Sequence, residues 1–538
     1  MKRNKFLFLS LLSAALFSIS WPATGNLAPL LFIAFTPLLY LEYLIYNNQG
    51  QYKNHHLFNY SFIAFFAWNL ATTWWIYNAS GFGMVMAVLL NSLYMSLVML
   101  LFHITKKKIG EKQGYISLIF YWIAFEYFHL DWDLSWPWLT LGNGFANYTP
   151  IIQWYEFTGT LGGSFWILLL NILIFYIFKS LILQGKNLKE KSGAIIITGV
   201  ILFIPMIISA LMYNLYTEQE NPVNVVVVQP NIDPYNEKFS GSPEKQLDKM
   251  LQLGASLTDS NTNYIVNPET ALPQGLWENE LQQSEPVNKI KAFIEGFPQL
   301  NYVTGLASFK AFSADETPSL TARMYSNGGG YYDAYNTAMQ LDRSPEIQLY
   351  HKSILVPGVE KMPFPSVFKY LEDFAVDLGG MSGSHGIDKE RKVFISHDKK
   401  TKIAPVICYE SIYGEYVAEY VKNGANLIFI ITNDGWWGNT SGYRQHLSYA
   451  RLRTIETRRS IARSANTGIS CFINQRGDIL QPTGWWEPAV IKGAINSNDE
   501  ITFYTRHGDY IGRTSMFIAF LLLLLTTVKS FNKGKSLR

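Results

Sequence analysis

No charged side chain occurs between Phe6 and Leu41, and a second uncharged run extends from His55 to Thr105. Runs of this length exceed what a buried helix of a soluble protein needs, and they commit this part of the chain to a bilayer. The turn-forming segment Trp21-Pro22-Ala23-Thr24-Gly25-Asn26 divides the first run into spans near 6–21 and 27–45. Asn78-Ala79-Ser80-Gly81-Phe82-Gly83 divides the second into spans near 57–77 and 84–103. Each is close to the length that crosses a hydrocarbon core of about 30 Å. Further spans read at 115–130, 163–184, 194–213 and 512–528, the first of these being short and carrying Glu126. The expectation is seven spans, then a large insert, then one last span.

Charge distribution orients this map. Lys2, Arg3 and Lys5 precede the first span, Lys53 follows the second, and Lys106, Lys107, Lys108 and Lys112 follow the fourth. Lys179, Lys186, Lys189 and Lys191 lie at or between the sixth and seventh, and Lys529, Lys533, Lys535 and Arg538 follow the last. The alternate loops 22–26 and 78–83 carry no Lys or Arg, and Asp131, Asp133 and Glu156 mark loop 131–162 as acidic. Basic loops therefore alternate with non-basic ones, as expected when the N-terminus is cytoplasmic. Seven crossings then place 214–511 outside the cytoplasm. The domain expectation is a membrane domain at 1–213, an outer domain at 214–511, and a final span with a cytoplasmic tail at 512–538. A cleaved signal peptide is the alternative reading of the first span, and it leaves the orientation unchanged.

The insert has a different character. Val223–Val228, Tyr264–Val266, Tyr302–Val303, Ile403–Ile407, Leu427–Ile431 and Ile469–Ile473 read as short buried strands. Helix-like stretches at 243–258, 286–296, 413–423 and 445–464 lie between several of them, which predicts an α/β layered domain. Segment 310–334, with Gly328-Gly329-Gly330, reads as an exposed excursion. A net charge of +3 argues against nucleic acid as a partner, and two cysteines, Cys408 and Cys471, cannot form a disulfide framework.

Three segments carry candidate chemistry. Ile403-Ala404-Pro405-Val406-Ile407 runs into Cys408, Tyr409 and Glu410. A thiol where a strand meets its loop is held by the strand yet accessible from the loop, which suits covalent catalysis. Glu269 follows Tyr264-Ile265-Val266-Asn267-Pro268 and could serve as a general base or merely cap a helix. Lys352 precedes an apolar run that reads as a strand, Ile354-Leu355-Val356, ending at Pro357. It could stabilise an oxyanion and favour a thiolate, or simply be a solvated lysine. Glu360, eight residues on, could hold that lysine in place. Cys471 sits in an apolar strand and reads as core. The run His446 to Arg463 contains five arginines and Glu456; an internal ion-pair network is the favoured reading over a lipid-headgroup site. Trp74, Trp75, Trp132, Trp136 and Trp138 fall near the expected outer interface, where aromatic-belt anchoring is the ordinary role. Neither metal-ligand spacing nor a phosphate-binding glycine motif is evident.

The insert resembles the carbon–nitrogen hydrolase (nitrilase) superfamily, on Val228-Gln229-Pro230-Asn231-Ile232, Asn267-Pro268-Glu269-Thr270-Ala271-Leu272-Pro273, Lys352 to Glu360, Cys408-Tyr409-Glu410, Thr432-Asn433-Asp434-Gly435-Trp436-Trp437, and Gln445 to Gly468. With seven spans before it and one after, nearly the whole chain resembles the apolipoprotein N-acyltransferase family of bacterial envelopes. The resemblance implies an α-β-β-α sandwich and a catalytic Glu269, Lys352 and Cys408, with Glu360, Tyr409 and Glu410 in support. It implies no cofactor, a phospholipid acyl donor such as phosphatidylethanolamine, and a diacylglyceryl-lipoprotein acceptor. It also implies a multi-pass protein of the inner membrane with its catalytic domain in the periplasm. The chain departs from the family pattern at Gly358-Val359-Glu360, where Phe-Gly-Glu is common, and at Tyr235 or Phe239, where a Trp is often found. A membrane-anchored amidase and a ligand-binding receptor or transporter are the competing classes. Eight spans exceed what anchoring needs, and mostly uncharged spans disfavour a transport path.

Overall fold

The computed structural model describes residues 2–361 and 384–535, with side chains described from 3 to 531 within those limits. The chain divides into two compact units. One comprises Met1–Trp75, Met84–Leu215 and His507–Arg538, and the other Ile76–Gly83 and Tyr216–Arg506.

The first unit is helical. Among the described residues, five segments are long and apolar enough to cross a membrane: Ala28–Asn47, Gly81–Ile109, Tyr155–Leu183, Leu188–Leu215 and Tyr510–Phe531. Lys2–Ser20, Asn54–Thr73 and Glu111–Phe128 are also helices, at the other three stretches marked by the sequence. Helix Ser192–Leu215 turns Ile196, Phe203, Ile207 and Leu211 outward, the surface expected of a helix whose solvent is lipid. A buried ionic cluster lies inside this unit, whereas the buried Glu126 carboxyl is met by the neutral donors Trp122 Nε1 and Leu141 N. The buried Glu42 carboxylate accepts from Lys106 Nζ at 2.6 Å and meets His103 Nδ1 at 2.8 Å. This pairing joins helix Thr36–Asn47 to helix Gly81–Ile109, since a lone buried charge would be strongly destabilising. Trp75 and Trp138 are buried against each other at 4.9 Å, and Trp136 stacks on Trp138. Those rings pack internally, whereas Trp74 is exposed.

The second unit holds two sheets. The first contains β1 Pro222–Gln229, β2 Tyr264–Val266, β3 Leu272–Trp277, β4 Asn301–Ala311, β5 Arg323–Met324, β6 Tyr331–Leu341 and β7 Gln348–His351, closed by a late strand at Ala489–Asn496. The second contains β8 Phe394–Ile395, β9 Lys402–Ile407, β10 Leu427–Thr432, β11 Ile461–Ala465, β12 Cys471–Ile473 and β13 Ile479–Leu480; the late strand is β14. Strand order is β14-β1-β2-β4-β6-β5 in the first sheet, with β3 on β4 and β7 on β6, and β13-β12-β11-β10-β9-β8 in the second. β1, β2 and β4 are mutually parallel, as are β9, β10 and β11.

Strand periodicity explains the layering. Val223, Val225 and Val227 point into a core shared with Val406, Phe429 and Ile461 of the second sheet. Val226 and Val228 point the other way, onto a core with Leu247, Met250 and Ile290 of helices Pro243–Ala255 and Glu285–Ile294. A strand apolar on both faces must be covered on both. Helices Gly414–Lys422 and Ser441–Thr457 contribute Val417, Tyr420, Leu447 and Ala450 to the core of the second sheet. The result is a layered α/β domain of two sheets sharing a core, with helices packed against them.

Three local expectations need correction. The helix-like stretch 445–464 is a helix only to Thr457; Arg458 adopts a left-handed φ of 51°, which ends it, and Ile461–Ala465 becomes a strand paired with β10. The excursion 310–334 is partly sheet, because β4 continues to Ala311 and β5 and β6 pair within it. The apolar run after Lys352 is not a strand: β7 ends at His351, before the lysine. Its backbone donors are taken elsewhere. Glu410 Oε1 accepts from Ser353 N at 2.7 Å, and Glu360 Oε2 accepts from Val356 N at 2.9 Å.

Candidate active site

Parallel strands bring their C-terminal ends to one edge, the usual place for chemistry in an α/β layer. Three non-glycine residues following such strands adopt left-handed backbone: Asn231 after β1, Thr270 after β2, and Cys408 after β9, with φ of 51°, 50° and 49°. This conformation is uncommon for residues with a Cβ and is concentrated at functional sites. At Cys408 it turns the chain sharply from β9 into the 3-10 turn Cys408–Ile412, lifting the thiol off the strand axis.

The Glu269 carboxylate is held from three sides. Its Oε1 accepts from Asn336 Nδ2 at 2.7 Å and Lys352 Nζ at 3.1 Å, and its Oε2 accepts from Asn433 N at 3.1 Å. Lys352 Nζ also donates to Glu360 Oε1 at 2.8 Å. The lysine backbone is fixed as well, its N–H donating to Asn336 O at 2.8 Å. Asn336 Nδ2 further donates to Glu360 Oε1 at 3.2 Å, so one β6 side chain bridges both acids. Lys352 is 1% exposed. Burial alone would push its ammonium down, but Glu269 and Glu360 outweigh that and hold it well above the usual lysine range. Burial likewise opposes ionisation of Glu360, and Lys352 overcomes it, keeping that carboxyl below its ordinary value.

Cys408 lies within the electrostatic reach of this cluster. Burial raises its thiol first and the Glu269 carboxylate raises it further, while Lys352 opposes both. The surroundings of Cys408 therefore favour the thiol over the thiolate, with Lys352 as the group that works the other way. An ammonium has three donors. Two of those on Lys352 are committed to carboxylates, which leaves one for a developing oxyanion.

Glu410 acts on the frame around these groups. Besides Ser353 N, its carboxylate accepts from Tyr350 OH at 2.7 Å, Tyr416 OH at 2.6 Å and Ile407 N at 2.8 Å. It thus ties the end of β9, one residue before Cys408, to both neighbours of the His351-Lys352 pair. Tyr409 is buried, its ring 5.3 Å from that of Tyr413 at a steep angle. Tyr235 and Phe239 both pack on Trp436, and Tyr235 OH donates to Trp436 O at 2.6 Å.

Some participants were not singled out from sequence. Asn336 had no signal, because only the β4–β6 register brings it opposite Glu269's loop. Lys238 lay between the two aromatics considered at the family's Trp position and was passed over. Behind the thiol, His446 faces Cys408 O at 3.1 Å and Asp434 Oδ1 at 3.0 Å, and Arg463 donates to Asp434 Oδ2 at 2.6 Å. Asp434 is buried; that burial would raise its carboxyl, but Arg463 and His446 hold it well below the usual range. Arg453, Arg458 and Arg459 of this stretch are buried as well, while Arg451 is partly exposed. Arg453 pairs with Glu456 at 2.9 Å, and Arg459 donates to Ala425 O at 2.9 Å. Cys471 is fully buried in the core between the sheets.

Comparison with known proteins defines the class first. Residues 224–503 match the carbon-nitrogen hydrolase family model, and residues 13–173 match the apolipoprotein N-acyltransferase N-terminal domain. Among solved structures the chain is similar to an amidase from Nesterenkonia sp., at 15% identity and a TM-score of 0.36, covering 56% of this chain and 98% of that one. Among curated proteins it is similar to apolipoprotein N-acyltransferase of Chlorobaculum tepidum, 32% identical over 98% of this chain and 97% of that one. It is also similar to the proteins of that name from Geobacter metallireducens and Thermotoga maritima, each 26% identical, with 93% and 99% of this chain covered and 91% and 96% of theirs. The chain belongs to the apolipoprotein N-acyltransferase family.

Proposed function

We propose that this protein N-acylates lipoproteins, moving an acyl chain from a phospholipid to the α-amine of an N-terminal diacylglyceryl-cysteine through a thioester on Cys408. The acyltransferase reading is carried by a likeness to apolipoprotein N-acyltransferases that runs through both the helical part and the carbon–nitrogen hydrolase part. The mechanism is supported by the buried Glu269–Lys352–Glu360 cluster at the turn that presents the thiol.

In the first half-reaction Glu269 takes the Cys408 proton as the sulfur attacks the ester carbonyl. Negative charge passes to the carbonyl oxygen, where the third N–H of Lys352 and the N–H of Tyr409 meet it. The carbon–oxygen bond breaks, Glu269 returns its proton to the departing lysophospholipid, and a thioester remains. In the second, the free amine attacks the thioester carbon. The carbon–sulfur bond breaks, the amine's proton passes by way of Glu269 to the sulfur, and an amide leaves. A thioester conserves acyl activation, so an amine competes well provided water is excluded. Phosphatidylethanolamine suits the donor role. The direct test is incubation of full-length protein with phospholipid and a diacylglyceryl-cysteine peptide. A peptide gaining one acyl mass in hydroxylamine-resistant linkage is the expected product; free fatty acid without acylated peptide would instead indicate hydrolysis.

The proposal includes eight membrane spans in a bacterial inner membrane, with 1–213 and 512–538 as the membrane part and 214–511 as a periplasmic catalytic domain. The alternation of lysine-bearing and lysine-free loops supports it. Cysteine-accessibility labelling near residue 240 should report the periplasm, and a reporter at the C-terminus should report the cytoplasm. A cytoplasmic signal near 240 would overturn both the topology and the lipoprotein assignment.

The isolated segment 220–505 is expected to fold, since its two apolar cores are its own, yet to acylate lipid substrates poorly. Extracting a long acyl chain into water costs about 0.8 kcal/mol per CH₂, or on the order of 10 kcal/mol in all. Comparing rates of the segment and the full chain checks this; equal rates would reduce the helical part to an anchor.

A further inference from the structure

Lys238 is 3% exposed and lies in the loop after β1. Its Nζ donates to the main-chain carbonyl of Glu269 at 3.0 Å, on the residue that precedes the left-handed Thr270. Its own backbone is anchored: Lys238 N donates to Asp233 O at 2.8 Å, and Lys238 O accepts from Gln246 Nε2 at 3.0 Å. A long cationic side chain is rarely buried without a charged partner. Here the acceptors are neutral oxygens, the Glu269 carbonyl and, at 3.1 Å, the side-chain amide of Asn433, so the compensation must come from a charge nearby. The anion acting on it is the Glu269 carboxylate, joined by the Cys408 sulfur once that ionises.

Charge balance supplies the reason for a second cation. The cluster around the thiol contains two carboxylates, Glu269 and Glu360, and one ammonium, Lys352. Asp434, the next acid felt by Cys408, is already paired with Arg463. Without Lys238 the site would carry one excess negative charge, which opposes forming a thiolate. With it, two cations face two anions, and the second cation favours the ionised form of the sulfur over the neutral thiol.

We propose that Lys238 is a positioning residue of the acyl-transfer site, its ammonium holding the Glu269 turn and neutralising the Glu269–Cys408 pair so that the thiolate can form. This rests on the thioester reading above. Burial lowers the lysine to about 8, with Glu269 and Cys408 acting in the opposite direction.

The test is the pH profile of iodoacetamide alkylation at Cys408, in full-length detergent-solubilised protein on a Cys471→Ala background. Lys238→Met should move the profile's midpoint up by about one pH unit, equivalent to about tenfold slower alkylation at neutral pH. Lys238→Gln, which keeps a donor but no charge, should do the same and serves if Lys238→Met does not fold. Lys238→Arg should restore the midpoint. Gln246→Leu, which loosens the same loop without removing charge, should leave it in place. An unmoved midpoint in Lys238→Gln, or an equal shift in Gln246→Leu, would overturn the proposal. Absence of Cys408 alkylation in the parent protein would instead overturn the thioester reading, and this inference with it.

Discussion

Cys408→Ala is expected to abolish both thioester formation and acyl transfer, whereas Cys471→Ala should keep most activity. The two thiols are both buried, but their surroundings differ in kind. Cys408 occupies a left-handed turn within electrostatic reach of Glu269 and Lys352. Cys471 is a strand residue packed between sheets, where it serves as a small hydrophobe. Alanine at 408 removes the sulfur that lies within electrostatic reach of Glu269, and with it the proposed nucleophile. Alanine at 471 removes one atom from the core, a loss of about 1 kcal/mol by the usual cost of small cavities. Assaying both variants with phospholipid and acceptor peptide separates these outcomes. Full activity in Cys408→Ala would remove the nucleophile from the mechanism.

Lys352→Met and Glu269→Gln should each lower turnover by orders of magnitude, about 10²–10⁴-fold for a lost general base and about 10²–10³-fold for a lost oxyanion donor. The lysine change carries a second consequence. It leaves the Glu269 and Glu360 carboxylates buried without their cation, and breaking a buried pair in this way costs about 3–5 kcal/mol unless a carboxyl takes up a proton. Lys352→Met should therefore unfold at lower temperature than Glu269→Gln, in which the amide retains an oxygen for Asn336 and Lys352. Turnover must be normalised to folded protein, measured by size-exclusion recovery and thermal unfolding. Glu360→Gln should be milder but clearly damaging, because Lys352 would keep one carboxylate. Near-normal turnover in folded Lys352→Met would mean that the assigned roles are wrong.

The legible parts of this molecule are those encoded locally. Val223–Val228 and Leu427–Ile431 read as strands because short apolar runs rich in β-branched residues suit a buried strand, and both lie inside their sheets with a neighbour on each side. Glu269 and Cys408 stand out in the sequence because Cys408 follows such a run directly and Glu269 follows one after Asn267 and Pro268. Lys352 was legible as a residue but not in its setting. The apolar run after it lacks strand pairing because Glu410 and Glu360, 57 and 4 residues away from the donors they capture, take its backbone N–H groups. Nothing in Ser353–Pro357 itself announces that. Asn336 and Lys238 carry no such signal for a similar reason: their places depend on sheet register and loop closure, and each alone is an ordinary polar residue. The end of the helix at Thr457 depended on a left-handed Arg458, a position where glycine would have been the readable signal.

The central claim is a covalent acyl intermediate on one residue, and intact-mass analysis of the purified full-length protein after exposure to phospholipid tests it most directly. The expected result is a single added acyl mass that hydroxylamine removes, that maps to the peptide containing Cys408, and that disappears on adding a diacylglyceryl-cysteine acceptor. Acylation of the acceptor by Cys408→Ala protein, or an adduct that persists in that variant, would contradict it.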